Sequence, residues 1–192
     1  STVAKPSATY TTEKTYTVKL TVKSGTDSSV ATTTIKAVDP SKMPLIISKG
    51  KPVVASSIQS SSDVTPSEVA ATNVNDGITT TRWSSAFSVP QWIQIDLGNT
   101  ATKVNYVKLI WEASYATAYK IEISNNGGES GTWTTLANIT NGDGGTDSIA
   151  VSGTGRYIRM YASAKNSQYG VSLYEFQVGQ YPTSVIMNDR VP

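Results

Sequence analysis

Apolar and polar residues alternate along most of this chain, with the two-residue period of β-strands. Near the start, threonine and lysine alternate with four apolar residues, Tyr16, Val18, Leu20 and Val22. This pattern predicts a half-buried strand, and a turn at residues 24–27 leads to a second β-rich run over 30–38. Two or three strands bury too little apolar area to be stable alone, so we expect a preceding segment, the next domain or another chain to cover them.

A longer series of short strands follows residue 52. The alternation is clearest in five runs, at residues 91–97, 103–111, 119–123, 156–161 and 171–178. Seven or eight strands at such spacing, with no helix beyond a short turn at 69–74, predict an all-β sandwich or jelly roll. Residues 39–51 contain two prolines and no clear period, which predicts a linker with room for a short strand at 45–48. Residues 181–192 are expected to form a tail or a further linker.

Composition narrows the chemistry. The 192 residues carry 16 basic and 14 acidic side chains, a net charge of +2, and no run of like charge. This balance argues against nucleic acid or an anionic membrane as a partner. The chain has no cysteine and no histidine, which excludes disulfides, Ser-His-Asp and Cys-His catalysis and the usual zinc sites. No apolar segment approaches the roughly 20 residues of a membrane span, so we expect no membrane insertion.

One loop, NVNDGITTTRW at residues 73–83, concentrates candidate chemistry. Its Asp76-Gly77 pair forces a turn, and short oxygen-bearing residues surround that turn. Backbone carbonyls and a carboxylate in such a loop can hold a hard cation such as calcium. The alternative is an Asp-Gly turn that leads directly into a strand with Trp83 in the core.

The first 38 residues resemble part of a known domain. The segment TYTTEKTYTVKLTVKSGTDSSVATTTIKAV, residues 9–38, is similar to the last strands of a PKD-type immunoglobulin-like domain, which ends in a Thr-Tyr-Thr-Val-x-Leu-x-Val strand. The resemblance implies that residues 1–38 are the end of a partial immunoglobulin-like β-sandwich. In that family the domain is usually a spacer in multimodular surface or secreted proteins.

A second resemblance covers residues 52–180, essentially one whole domain. It is carried, in order, by ASS (55–57), NDGITTTRWSS (75–85), QWIQIDLG (91–98), WEASYATAYKIEIS (111–124), GDGGTD (142–147), RYIRMYA (156–162) and YGVSLYEFQV (169–178). These residues are similar to factor V/VIII type C, or discoidin, domains, and most to bacterial members classed as carbohydrate-binding module family 32. The resemblance implies a discoidin-like β-sandwich, or jelly roll.

In this family a structural calcium ion commonly joins the first loop to the last strand. The resemblance implies six ligand residues here: Asn73, Asp76, Ile78, Thr81, Tyr174 and Glu175. Asp76 and Glu175 would supply carboxylates, Thr81 a hydroxyl and its carbonyl, and the other three backbone carbonyls. Six or seven oxygens with two carboxylates suit Ca²⁺. The alternative is a plain turn and a surface glutamate.

Glycan sites in similar modules lie on loops at one end of the sandwich. The positions that match those of glucosamine- and glucan-binding relatives are Gln59, Arg82, Phe87, Glu112 and Tyr169, and Tyr115 is a weaker addition. Phe87 and Tyr169 would stack on sugar C–H groups. Arg82 and Glu112 would orient each other and hydrogen-bond hydroxyls or an amine. In the alternative, Arg82 and Glu112 form a structural ion pair and Tyr169 caps the core.

Because of departures from the family pattern, the residues do not determine which sugar the module binds. Gln59 stands where chitosan-binding relatives tend to have a glutamate, and the loop after it is longer. A neutral amide attracts a cationic amino sugar less than a carboxylate does, and Asp63 in the longer loop is the candidate to compensate. All four tryptophans, Trp83, Trp92, Trp111 and Trp133, match positions that are mainly core.

The leading hypothesis is therefore a non-catalytic carbohydrate-binding module. It would bind a polysaccharide or oligosaccharide (β-glucan, chitosan or a galactose-type glycan) and target a larger bacterial protein, secreted or on the cell surface, whose other domains are covalently linked to it. The alternative is a protein- or lipid-binding adhesion module of discoidin type, which the Ser/Asn/Gly-rich loops disfavour. A glycoside hydrolase needs two carboxylates. Glu112 and Asp63 are the only pair near the expected site, and neither lies in a catalytic motif.

Overall fold

The computed structural model describes residues 12–182 and divides them into two units. The first unit contains β1 (Lys14–Ser24) and β2 (Asp27–Ala37), an antiparallel pair. The turn between them is closed by Gly25, whose φ of +61° favours glycine. The second unit spans Pro44–Tyr181. Residues 1–11 of the predicted immunoglobulin-like part and 183–192 of the predicted tail lie outside the described residues.

The β1–β2 hairpin has the predicted alternation, but its apolar side chains are exposed. The register pairs Tyr16 with Ile35 and Leu20 with Ala31, so apolar residues of both strands share one face. Leu20 is 54% exposed and Val22 58%. A two-stranded sheet has no second layer that could bury such a face. The PKD-type assignment stays a prediction.

Ten further strands in the described residues build the second unit. They are β3 (Leu45–Ile46), β4 (Val53–Ala55), β5 (Trp83–Ser84), β6 (Gln91–Asp96), β7 (Lys103–Trp111), β8 (Ala116–Ser124), β9 (Thr134–Ile139), β10 (Thr146–Thr154), β11 (Tyr157–Lys165) and β12 (Ser172–Gln180). One sheet has the order β10-β7-β12-β3, with β5 also paired to β12, and the other has the order β4-β6-β11-β8-β9. The predicted all-β sandwich is confirmed.

The core lies between these two sheets and contains the predicted apolar faces. Ile93 and Ile95 on β6, Ile121 on β8 and Val107 and Leu109 on β7 are all fully buried. Side chains two residues apart point to the same side of a strand, so each alternating run delivers one apolar face to the core. A short 3-10 helix at Ala71–Asn75, where a helical turn was expected at 69–74, buries Val74 in the same cluster.

The prediction for the tryptophans is correct for three and wrong for Trp133. Trp83, Trp92 and Trp111 are buried. Trp133 is only half-buried, and its ring stacks on the Arg159 guanidinium at 4.1 Å. Trp133 lies at the end of the glycine-rich loop after β8. This loop lies over the outer face of a sheet, where Gly128 N–H donates to Gln94 Oε1 at 2.7 Å. Trp133 covers that outer face instead of the core.

Part of the predicted linker belongs to the sandwich. The pairing of β3 with β12 places Ile46 opposite Gly179, and Ile47 N–H donates to the Val178 carbonyl at 2.9 Å. Ser48 is also buried, and its hydroxyl accepts from Val178 N–H at 2.9 Å. The chain is therefore attached to the second unit from about residue 45, several residues before the predicted boundary at 52.

Candidate functional site

Strand β5 places Arg82 at one end of the sandwich. Trp83 is fully buried, and its indole N–H donates to the Ser57 carbonyl at 3.0 Å. The pairing of Trp83 with Leu173 fixes β5 against β12. Arg82 directly precedes this anchored residue, is half-buried, and donates from Nη1 to Ser172 Oγ at 3.1 Å. Its guanidinium has further N–H groups for a ligand.

Ser172, which is fully buried, brings Arg82 and Glu112 to the same point. Its carbonyl accepts from Glu112 N–H at 3.1 Å, and its own N–H donates to the Ser114 carbonyl at 2.8 Å. The predicted Arg82–Glu112 ion pair is not formed in the described part of the chain. Instead Glu112 Oε2 accepts from Ser114 N–H at 2.9 Å. Because the two charges are not paired with each other, both remain available to a polar ligand.

Phe87 and Tyr169 form an exposed aromatic pair. Phe87 is 45% exposed and Tyr169 52%. Their ring centroids are 5.6 Å apart at an interplanar angle of 83°, an edge-to-face arrangement. Gly170 permits the close approach of their two loops, because a Cβ there would lie 2.4 Å from the Ser85 carbonyl oxygen. Exposed ring surface of this kind can stack on sugar C–H groups. The two residues predicted to stack on a sugar are therefore in contact with each other.

Tyr115 rests on the glycine-rich loop after β9. Gly144 has a φ of +80°, and a Cβ there would lie 2.6 Å from the Tyr115 ring. The backbone of Tyr115 is held by Asn166, whose Oδ1 accepts from Tyr115 N–H at 2.9 Å. The loop over residues 142–145 thus acts as a support for an aromatic side chain, which explains its need for glycine.

The remaining two glycan candidates differ in their links to this cluster. Gln59 is half-buried, and its backbone N–H donates to the Ser84 carbonyl at 2.7 Å, so it lies beside β5. Its side-chain amide donates to Ser61 Oγ at 3.1 Å. Asp63 is exposed, and its carboxylate accepts from Ser62 Oγ at 3.2 Å. No hydrogen bond or ion pair among residues 12–182 connects Asp63 to the other candidates.

The loop in which a cation site was predicted contacts β12 through Glu175. Gly77 has a φ of +85°, and its N–H donates to Glu175 Oε1 at 2.9 Å. Asp76 accepts from Ile78 N–H and from the Thr81 hydroxyl, both at 2.7 Å. The Thr81 hydroxyl also lies 2.8 Å from the Ile78 carbonyl oxygen. Four of the six predicted ligand residues are therefore connected through a few short contacts.

The other two ligand candidates lie at the start of the loop and on β12. The side-chain amide of Asn73 donates to the Arg82 carbonyl at 2.9 Å, which ties the start of the loop to its end. Tyr174 lies where the register of β12 against β7 shifts between Leu173 and Glu175. A bulge of this kind leaves one residue, here Tyr174, out of the regular pairing of β12 with β7.

The charges around this loop are mixed, because Asp76 and Glu175 are acidic and the Lys49 ammonium lies against Gly77. Glu175 is 2% exposed, and burial raises the pKa of its carboxyl above the usual range. The Gly77 N–H offsets part of that increase, whereas the neighbouring Asp76 charge adds to it. No group of three or more acidic or histidine side chains gathers among the described residues. A bound cation would therefore draw on two carboxylates with hydroxyl and carbonyl oxygens, a set that fits Ca²⁺.

Sequence reasoning missed Lys165 and Asn166, which contact the loops that carry Phe87, Tyr169 and Tyr115. Lys165 ends β11, and its ammonium donates to the Phe87, Gln168 and Tyr169 carbonyls at 2.7, 3.0 and 2.7 Å. A lysine bound only to backbone carbonyls leaves no charge pattern in the sequence. The one available signal was its position, four residues before a Tyr-Gly pair at the end of a strand.

Comparison with known proteins agrees with this fold. A family model for F5/8 type C domains, described as a NedA-like, galactose-binding domain, matches residues 73–160. The crystal structure of chitosan-binding module 1 from a chitosanase/glucanase of Paenibacillus sp. IK-5 is 40% identical, with 71% of this chain and 99% of that one covered and a TM-score of 0.64. Module 2 of the same enzyme, in complex with chitotriose, is 38% identical over 70% of this chain and 99% of that one, with a TM-score of 0.63.

A more distant structure shares the fold. A family 32 carbohydrate-binding module of Clostridium perfringens, in complex with GalNAc-β-1,3-galactose, is 20% identical over 71% of this chain and all of that one, with a TM-score of 0.61. Among curated protein sequences, none matches this chain. The β-sandwich fold and the similarity to chitosan-binding modules define this unit as a small binding domain. The chain belongs to the F5/8 type C family of galactose-binding-like domains.

Proposed function

We propose that residues 44–181 form a non-catalytic carbohydrate-binding module whose ligand occupies the loop end of the sandwich. The observation that carries this proposal is the exposed Phe87–Tyr169 pair beside the unpaired charges of Arg82 and Glu112. Aromatic surface contributes stacking on sugar C–H groups, and charged side chains orient hydroxyl or amino groups by hydrogen bonds. The similarity to two modules named as chitosan-binding supports the same function.

The ligand that we propose is a β-linked oligosaccharide of glucosamine or glucose, with galactose-type glycans as the further candidates. Arg82 is a cation and Gln59 is neutral, so Glu112 is the main attraction for an amino group at the cluster. Asp63, which is solvent-exposed in the loop after Gln59, is a further candidate carboxylate, and Glu68 lies close enough to Arg82 to interact with its charge. An open site of this kind buries few sugar atoms, and we expect a Kd on the order of 0.1–1 mM.

Isothermal titration with chitosan oligomers, β-glucan oligomers, galactose and N-acetylglucosamine tests the proposal. Tyr169→Ala should weaken binding of the preferred oligomer about tenfold, because it removes the more exposed stacking ring. Lys103→Ala, at the far end of β7 from Glu112, is the matched control and should bind like the wild type. A folded wild-type protein that binds no glycan on a broad array, but binds liposomes, would establish the adhesion alternative instead.

We further propose that Ca²⁺ binds at the loop of residues 73–81, held by the carboxylates of Asp76 and Glu175, the Thr81 hydroxyl and carbonyls of Asn73, Ile78, Thr81 and Tyr174. When bound, the ion would supply positive charge that compensates two neighbouring carboxylates, one of them buried. Support comes from two contacts: Gly77 N–H donates to Glu175 Oε1, and the Thr81 hydroxyl donates to Asp76 Oδ2. The loop would then be fixed to β12 just before Arg82.

Calorimetry with calcium and with a chelator tests this site. A hundredfold excess of calcium over its Kd should raise the melting temperature by about 5–10 °C. Asp76→Ala should melt lower and lose that dependence, whereas the exposed Glu129→Ala should keep it. An unchanged melting temperature in chelator, for protein shown by elemental analysis to have contained calcium, would refute a stabilising role.

We infer that the module acts as one domain of a longer secreted or surface protein. The relatives from Paenibacillus are modules of a larger chitosanase/glucanase, and the chain here holds a second unit before the sandwich. No helix in residues 12–182 is long and apolar enough to cross a membrane. Weak sites in linked modules gain from high effective concentration on a polysaccharide, which gives the arrangement a physical advantage.

A further inference from the structure

Lys165 joins the two loops that carry the exposed aromatic pair. Lys165 is half-buried as a residue, and its ammonium donates to the carbonyl of Phe87 in one loop and to the carbonyls of Gln168 and Tyr169 in the other. A lysine ammonium has three N–H donors, so these contacts use all of them. They fix the backbone on both sides of the aromatic contact and leave both rings free to meet a ligand.

Asn166, the next residue, joins the same point to a third loop. Its Oδ1 accepts from Tyr115 N–H and its Nδ2 donates to the Ala113 carbonyl, both at 2.9 Å. Its backbone N–H donates to the Tyr115 carbonyl at 3.1 Å. This third loop begins at Glu112, so Asn166 holds the segment that carries the acidic and the third aromatic candidate.

We propose that Lys165 and Asn166 are the positioning residues of the glycan site, holding its three loops in the binding geometry before the ligand arrives. The inference rests on the proposed carbohydrate-binding function. The side chains of both residues bind backbone atoms of the loops. The side chains of the loops therefore stay available to a ligand. Loops ordered in advance lose less conformational entropy on binding, and an open site with few contacts depends on that saving.

Lys165 affects the affinity of the site for sugar by holding the loops in place, and it does not contact the sugar itself. Its three donors are already occupied, and an ammonium has no acceptor to offer a hydroxyl. It also lies outside the apolar cluster between the sheets. Replacing it should therefore loosen the site while the sandwich stays folded.

The absence of cysteine from the chain allows a matched test at this position. Lys165→Cys creates a single thiol. Carboxamidomethylation of that thiol gives a neutral side chain, and aminoethylation restores an ammonium at nearly the length of lysine. The neutral form should bind the oligosaccharide preferred by the wild type about 5- to 30-fold more weakly, and the aminoethylated form should recover most of that loss.

Two further measurements separate positioning from other roles. In the neutral form, backbone NMR order parameters should fall at residues 86–88 and 168–170 and stay unchanged in β7 and β12. Asn166→Ala should instead lower them at residues 113–115. Lys103→Cys, aminoethylated in the same way, is the control and should bind and relax like the wild type.

Wild-type affinity in the neutral Lys165→Cys form overturns the inference and leaves the proposed function intact. Weaker binding with unchanged order parameters also overturns it, because Lys165 would then contact the ligand directly. A wild-type protein that binds no glycan refutes the proposed function, whatever the order parameters show. The three outcomes are therefore distinguishable in one set of samples.

Discussion

The hairpin and the sandwich have the same alternation of side chains and opposite burial. Leu20 and Ile121 both lie in strands in which apolar residues recur at every second position. Leu20 is 54% exposed, whereas Ile121 is fully buried. The period of a pattern determines which side chains share a face, but a second layer determines whether that face contributes to stability.

The contrast extends to polar groups. In the sandwich, Glu122 and Arg159 are buried on the outer face of a sheet and pair at 2.7 Å. In the first unit, Glu13 just before β1 and Lys42 after β2 also pair at 2.7 Å, but both side chains are well exposed. Removing one partner should be costly in the first pair because it leaves a buried charge, and nearly neutral in the second because water screens it.

The largest effect expected from this comparison is at Ile121. Ile121→Ala should lower the free energy of unfolding by about 2–5 kcal/mol, because it removes a fully buried side chain and leaves a cavity between the sheets. Urea denaturation followed by tryptophan fluorescence measures the loss. A change below 1 kcal/mol would mean that the sandwich core is not packed as described.

A smaller, pH-dependent change in the free energy of unfolding is expected at Glu175, because burial of its charged carboxylate destabilises the folded sandwich. Its folded-state pKa is raised by burial, so in chelator the folded protein holds this proton more tightly than the unfolded chain does. That contribution to stability is present at low pH and is lost as pH rises through the folded pKa. Glu175→Gln, which keeps an acceptor for Gly77 N–H, removes this dependence.

In chelator at pH 7, Glu175→Gln should therefore melt above the wild type, and the difference should shrink as pH falls. In calcium the order should reverse, because the variant has lost a carboxylate ligand. Differential scanning calorimetry of both proteins from pH 4.5 to 8 measures these differences directly. A variant that melts below the wild type under every condition would contradict the sign that we assign to Glu175.

The smallest effect is expected in the hairpin. Leu20→Ala should change the melting of the sandwich by less than about 0.5 kcal/mol, because Leu20 is an exposed side chain in a different unit. This variant is the matched partner of Ile121→Ala. A loss comparable to that at Ile121 would show that the exposed face is covered in solution and would end the contrast between the two regions.

Within the sandwich, the five runs with the clearest alternation correspond to strands that have partners on both sides. β6, β7, β8, β11 and β12 each lie inside a sheet, and their apolar residues alternate clearly. The alternation does not predict β4, β9 or β10, which lie at sheet edges in the described chain. An edge strand is held largely by hydrogen bonds to one neighbour, so its side chains carry a weak signal: β10, TDSIAVSGT, is mostly polar.

The family resemblance predicted the residues of the candidate site. It did not predict the contacts that hold those residues in place. Position matching brought Arg82, Glu112, Phe87 and Tyr169 to one end of the fold, and the structure places them on connected loops. The Arg82–Glu112 pairing was not found, because each side chain finds a nearer partner on the backbone or at Ser172. Contacts of side chains to backbone carbonyls depend on loop geometry, which no spacing rule encodes.

The close approach at Gly170 bears on how such a site can change during evolution. Any side chain there would collide with the Ser85 backbone, so substitution at 170 displaces the loop as a whole. The ring next to it, at 169, meets solvent and can be exchanged at little cost to the fold. Ligand preference can therefore drift one aromatic at a time while the anchoring glycine stays fixed, and a saturation library should be intolerant at 170 and permissive at 169.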